Sequence, residues 1–143
     1  MKKQYIMIFA VMLATGLFLS VMPAVSSAAG FKVYPGAKLD ERAMRDSDEM
    51  AKQMKMSVKS KIYTTNDSFE KVAAFYKGIA REYIMPGNTQ KGIKARFFIF
   101  DNGKDLSDSK LWAKVQRPAL SLYKEDIKTM KTRDITVIIL VEK

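Results

Sequence analysis

An α+β fold is expected for this chain: an antiparallel sheet of about four strands, one main amphipathic helix packed on one face, and a second, looser N-terminal helix. Three observations predict it. Lys61–Tyr83 passes from an alternating strand pattern straight into a capped helix of strong 3.6-residue periodicity. Three β-rich runs follow, joined by loops, which favours antiparallel pairing. The chain left after a leader is removed is the size of one ordinary domain.

The first element is that leader. Met1-Lys2-Lys3-Gln4 is basic, Tyr5 to Met22 is mostly apolar, and Pro23 is followed by small residues. This pattern predicts a secretory signal peptide over residues 1–28. Ser26 and Ala28 suit the −3 and −1 positions, placing cleavage after Ala28, with Ala29 a near alternative. An uncleaved anchor is the competing reading, since the apolar run is just long enough to span a bilayer. Pro23 and the small residues after it favour cleavage. Removing 28 of 143 residues leaves 115, read as a single domain over 29–143 in the periplasm or outside the cell.

The exported portion opens on Phe31–Tyr34, extended, and Pro35-Gly36 suits a type II turn. Leu39 to Met56 has a thin helical stripe of Leu39, Ala43, Met50, Ala51 and Met54, interrupted by Ser47. Its reliance on flexible methionines predicts loose packing. Val58 to Thr65 alternates as a strand, with Val58, Ser60, Ile62 and Thr64 on the side expected to be buried. Asp67 is the expected N-cap of the main helix, with Glu70 completing a capping box. Phe69, Val72, Ala73, Tyr76, Ile79, Ala80 and Tyr83 form its buried face, and Pro86-Gly87 ends it. Burying each large apolar side chain is worth roughly 1.5–3 kcal/mol, so this face is the expected keystone of the core.

Ile93–Phe100, Lys110–Arg117 and Asp134–Val141 read as the late strands, with Asp101 to Ser109 a polar loop. Ala119 to Thr132 is either a long loop or one or two helical turns through Tyr123, Ile127 and Met130. If Ile93, Ala95, Phe97 and Ile99, Leu111, Ala113 and Val115, and Ile135, Val137, Ile139 and Val141 face the main helix, the opposite face collects cations and aromatics. These are Lys59, Lys61, Tyr63, Lys94, Arg96, Phe98, Phe100, Lys110, Trp112 and Lys114. Cations follow an anionic backbone while rings stack on bases or sugars, so this set is the candidate binding face. The competing reading covers the same face with the Leu39–Met56 helix, because a monomer rarely leaves so large an apolar patch open.

Composition narrows the chemistry further. There are no cysteines and no histidines, which excludes disulfides, thiol chemistry, a lipid-modified N-terminal cysteine and the commonest general base. Lys2 and Lys3 lie in the leader, so 23 basic and 15 acidic residues remain and the exported chain carries +8. Ser-x-x-Lys occurs at Ser68/Lys71, Ser107/Lys110 and Ser121/Lys124, as lysine richness alone would produce. Asp101, Asp105 and Asp108 fall short of a calcium loop, with Leu106 where Gly is needed and Trp112 where the bidentate Glu is needed. Neither a cofactor nor a metal is expected.

Three segments together carry a resemblance: Tyr34-Pro35-Gly36-Ala37, Asp67-Ser68-Phe69-Glu70-Lys71-Val72 running into Phe75-Tyr76-Lys77, and Trp112 to Pro118. The chain resembles small exported bacterial proteins with a YPGA start, a DSFEKV…FYK helix and a closing β-meander. The resemblance implies the fold and an envelope location, and brings no activity with it. The expected function is therefore non-enzymatic: binding an envelope protein or an anionic polymer (glycan, lipid headgroup or extracellular nucleic acid) through the basic-aromatic face or the 119–132 loop. The alternatives are a small hydrolase-type enzyme using Asp, Glu, Lys or Tyr groups, or a structural subunit assembling through a strand edge such as Asp134–Val141.

Overall fold

The computed structural model describes residues 30–87 and 90–143. The leader and its cleavage point near Ala28 lie outside the described residues. In chain order the elements are β1 (Lys38–Leu39), α1 (Glu41–Gln53), β2 (Lys59–Thr65), α2 (Phe69–Lys77), β3 (Arg81–Tyr83) and β4 (Lys94–Ile99). Then come β5 (Leu111–Arg117), β6 (Ala119–Leu120), α3 (Lys124–Thr129), β7 (Thr132–Arg133) and β8 (Thr136–Glu142). The main sheet runs β1-β2-β8-β5-β4-β3 with antiparallel pairing throughout, and β6 and β7 make a separate two-stranded ribbon. The α+β class holds. The sheet has six strands rather than about four, because it gains short edge strands at both ends.

Strand β3 comes from residues expected to continue the main helix. Gly78, a poor helix former, is the C-cap of α2, and the amides of Ile79 and Ala80 both turn back to the Tyr76 carbonyl at 3.1 and 2.9 Å. Arg81 to Tyr83 then pair with Phe97 to Ile99. At its other end α2 is capped by Ser68, whose hydroxyl accepts from the Lys71 amide at 3.3 Å. Asp67 does different work: its carboxylate accepts from the Tyr34 hydroxyl at 2.7 Å, and its carbonyl from Thr136 Oγ1 at 2.6 Å. Glu70 pairs with Lys94.

The core between α2 and the sheet is aromatic. Tyr76 and Phe98 are fully buried among Val72, Val115, Ile138 and Leu140. The N-terminal arm closes it: Phe31 stacks on Tyr76 at 5.7 Å and meets Phe100 edge-on at 5.4 Å. The Tyr76 hydroxyl donates to the Lys32 carbonyl at 3.0 Å and accepts from the Tyr34 amide at 3.1 Å. The Tyr34–Ala37 turn forms as its sequence requires, with Gly36 at φ 87° and the Ala37 amide bonded to the Tyr34 carbonyl at 3.0 Å.

Strand faces depart from expectation on three strands. On β5, Ala113 and Val115 face α2 as expected. On β2, β4 and β8 the inward residues are Tyr63, Phe98, Ile138 and Leu140, with Ile62, Phe97, Ile99, Val137 and Ile139 on the opposite side. Strands β4 and β8 carry apolar residues at both parities, and β2 has one large apolar residue at each, Ile62 and Tyr63, so alternation does not select a face; the cross-strand register does. The opposite side carries a second, smaller cluster of Ala43, Ile62, Ala119, Leu122 and Val137, and Ala43 is the one fully buried residue of α1. Strand β8 lies between β2 and β5 and offers no free edge.

Candidate functional site

The structure divides the basic-aromatic set between locations. Tyr63 and Phe98 are buried in the α2 core, with Phe100 packed against it. Lys59, Lys61, Lys94 and Arg96 share that side of the sheet, and three of these cations are engaged. Lys94 meets Glu70, Arg96 lies 3.5 Å from Glu82, and Lys61 lies 3.9 Å from Glu142. Lys110 is exposed just before β5, where its amide donates to Asp101. Only Trp112 and Lys114 lie on the opposite side. The expected single binding face therefore does not form. The error was one of parity on β2 and β4, and it moved the aromatics into the core.

The 119–132 segment, the other expected site, is folded rather than a long loop. Tyr123 organises it. Its hydroxyl donates to Asp40 Oδ2 at 2.8 Å, while Asp40 Oδ1 caps α1 by accepting from the Ala43 amide at 2.9 Å. Its ring lies between two guanidiniums, with Arg42 at 4.4 Å and Arg133 at 4.6 Å from the centroid. Arg133 in turn grips Asp126 through two bonds of 2.8 and 3.0 Å, and Asp126 is only 1% exposed. The Arg133 hydrogen bonds hold the Asp126 carboxyl below the usual carboxylate range. Further along, the Lys124 amide donates to Asp46 at 3.0 Å and its ammonium to Glu49 at 3.0 Å. The segment is thus fastened to α1 by polar contacts.

Between the two runs a cleft of about 350 Å³, floored by the sheet. Its walls are Asp46, Ser47 and Met50 from α1 and Leu120 to Lys124 with Ile127 from the facing segment; Ile62, Val137, Ile139, Lys114 and Gln116 make the floor. The lining is mostly apolar; its charged members are Asp46, bonded to the Lys124 amide, Lys124, paired with Glu49, and Lys114. Lys114 is half-buried, its ammonium lies 5.7 Å from the Phe97 ring centroid, and among the described residues no hydrogen bond or carboxylate reaches it. Burial pushes its pKa below the ordinary lysine value. An unpaired, partly desolvated cation in an apolar cleft is an anion-binding group. Two residues along β5, the Trp112 indole N–H is buried and has no partner among the described residues. Sequence reasoning had Lys114 in its candidate set, but only the fold of residues 119–127 places it in a cleft.

The remaining candidate groups serve the structure. Burial pushes the Asp101 carboxyl up, but donors from Gly103, Lys110, Ser109 and Leu111 outweigh it and hold the group below the usual range. Asp105 accepts from Ser107 and Asp108, and Asp108 accepts from the Lys104 amide. The loop is tight enough that a Cβ on Gly103 would lie 2.5 Å from the Ser109 Cα. Of the Ser-x-x-Lys serines, Ser68 caps α2, Ser107 donates to Asp105 at 2.6 Å, and Ser121 lies 4.0 Å from the Met130 sulfur. Among the described residues no cluster of carboxylates is placed to hold a metal ion, and no helix is long and apolar enough to cross a membrane. Comparison with protein-family models, curated proteins and solved structures returned no match.

Proposed function

We propose that this chain is an exported, non-enzymatic binding domain, and that its site is the cleft between α1 and the 120–127 segment. Its occupant is an apolar end of an envelope protein that carries a carboxylate. The observation that carries this reading is Lys114, a half-buried ammonium with no partner among the described residues, on the floor of a cleft whose lining is mostly apolar. The volume suits one or two side chains rather than a polymer, sitting at the lower end of the usual range of roughly 300–1,000 Å³ for ligand pockets. The polymer alternative is weakened by the pairing of Lys61, Lys94 and Arg96 with carboxylates, which leaves Lys59 of the four cations on that side of the sheet without an ion pair among the described residues.

Calorimetry of the protein, purified as the producing cell processes it, tests this reading. Short peptides ending in Leu or Phe with a free C-terminal carboxylate are compared with their amidated forms. Carboxylate-dependent binding that disappears in Lys114→Met supports the cleft. Equal binding of acid and amide, or none of either, overturns it. Salt-sensitive binding to single-stranded DNA, polyanionic glycan or anionic vesicles without peptide binding favours the polymer reading instead.

A further inference from the structure

The described chain is held in place almost from its first residue. Gly30, at φ 97°, lies just past the end of β4, where a Cβ on it would stand 3.5 Å from the Phe100 carbonyl oxygen. Phe31 is 3% exposed and packs on three rings, Tyr76 at 5.7 Å, Phe100 at 5.4 Å and Tyr63 at 6.0 Å. Hydrogen bonds fix the residues that follow. The Tyr76 hydroxyl holds the Lys32 carbonyl and the Tyr34 amide, and the Tyr34 hydroxyl donates to Asp67. The expected leader ends at Ala28, so only Ala29 and Gly30 separate the cleavage point from a ring locked in the core.

We propose that leader removal and folding exclude one another: a peptidase cuts only while the Gly30–Tyr34 arm is undocked, and docking seals the processing site. Such sealing requires the leader to be a cleaved one and is independent of the cleft. A peptidase grips its substrate as an extended strand on both sides of the scissile bond. An extended chain covers at most about 3.6 Å per residue, so two residues leave roughly 7 Å between that bond and Phe31. That is too little chain to enter an active-site groove while Phe31 stays buried. The arm must open first, and cleavage of the folded chain follows the small population in which it is open. Export supplies an earlier opportunity. Tyr76 lies 44 residues beyond Lys32 and 42 beyond Tyr34, so in a chain exported from its N-terminus the arm emerges well before its docking partner. That interval is the window for processing. A chain that folds first keeps its leader.

Order of addition tests this on the full chain, leader included, unfolded in urea and diluted into detergent micelles. Purified bacterial leader peptidase is either present during dilution or added once folding is complete, and mass spectrometry follows the products. Cleavage near Ala28 is expected in both orders, at least about tenfold slower when the peptidase comes second. Tyr76→Phe keeps the ring but releases the Lys32 carbonyl and the Tyr34 amide. It should speed cleavage of the folded chain by about tenfold. Tyr34→Phe, which loses only the bond to Asp67, should speed it less. Met54→Leu, at an exposed position closing α1, should change nothing. Circular dichroism checks that each variant is folded. Equal rates in the two orders, folded Tyr76→Phe and Tyr34→Phe chains cleaved no faster than the parent, or no cleavage in either order would each overturn the sealing.

Discussion

On one side of the sheet, α2 and the N-terminal arm press Tyr76 and Phe31 against Phe98 and Phe100; on the other, α1 buries only Ala43 and leaves Lys114 without a partner among the described residues. Both sides begin from strands of similar apolar content. They differ in what covers them. The α2 side is covered by rings, whose large areas fill the space and whose edges interlock. The α1 side is covered by a helix with a thin apolar stripe and a short segment held to it largely by ion pairs and hydrogen bonds. Such contacts fix position without filling volume, and a cleft is the result. Stability is concentrated on the first side, and the second keeps a cleft with Lys114 on its floor.

The comparison breaks most visibly if the two clusters are truncated in turn. Tyr76→Ala should cost about 3–5 kcal/mol, the usual range for deleting a fully buried aromatic side chain. It also releases the Tyr34 amide and the Lys32 carbonyl, so the N-terminal arm should become labile to limited proteolysis. Leu122→Ala, in the smaller cluster, should cost about 2 kcal/mol, the low end for its type, because the residue already borders the cleft. Urea unfolding monitored by circular dichroism checks both. Equal losses at the two sites would remove the distinction between a closed face and an open one.

The pH dependence sharpens the contrast on the α1 side. Arg133 holds the Asp126 carboxyl below its unfolded value, so the pair contributes stability that is complete above about pH 4. That contribution is lost as the pH falls through the lowered folded value. Asp126→Asn should therefore be less stable than the parent at pH 7, and the two urea midpoints should converge below pH 4. Asp101 and Asp105 titrate in both proteins and cancel in the difference. A constant gap across the acid range would mean that Asp126 acts by shape alone.

Local chemistry was legible in the sequence where one residue type had one solution. The Tyr34–Ala37 turn, the Phe69–Tyr76 part of the expected α2 face, the Asp101–Ser109 loop and the end of β5 at Pro118 all form where composition puts them. Faces were legible on β5, where only one parity is continuously apolar. They were illegible on β4 and β8, where Phe97 and Ile99 compete with Phe98 and Phe100, and Val137 and Ile139 with Ile138 and Leu140. The edge strand β3 was hidden because three residues are too few to show a period and Tyr83 also satisfied the helical one. The cleft was beyond reach for a different reason. It depends on Tyr123 meeting Asp40 across 83 positions of chain, a contact that no local pattern announces.

Lys114 is where stability and binding should part company, through an effect smaller than the others. Because burial depresses its folded pKa, its protonated form is less favourable in the folded chain than in the unfolded one at neutral pH. Replacing it with Met keeps the alkyl stem and removes the charge, which should raise stability by about 1 kcal/mol while abolishing carboxylate binding. The sign reverses the familiar expectation for losing a charged residue. As the pH rises through the lowered Lys114 value toward the ordinary lysine pKa near 10.4, the parent sheds its proton and the stability gap should close. Carboxylate affinity in the parent should fall over the same interval. A Lys114→Met variant that loses stability at pH 7 would mean the ammonium already has a partner in solution, and the cleft would then lack the free charge on which its proposed function rests.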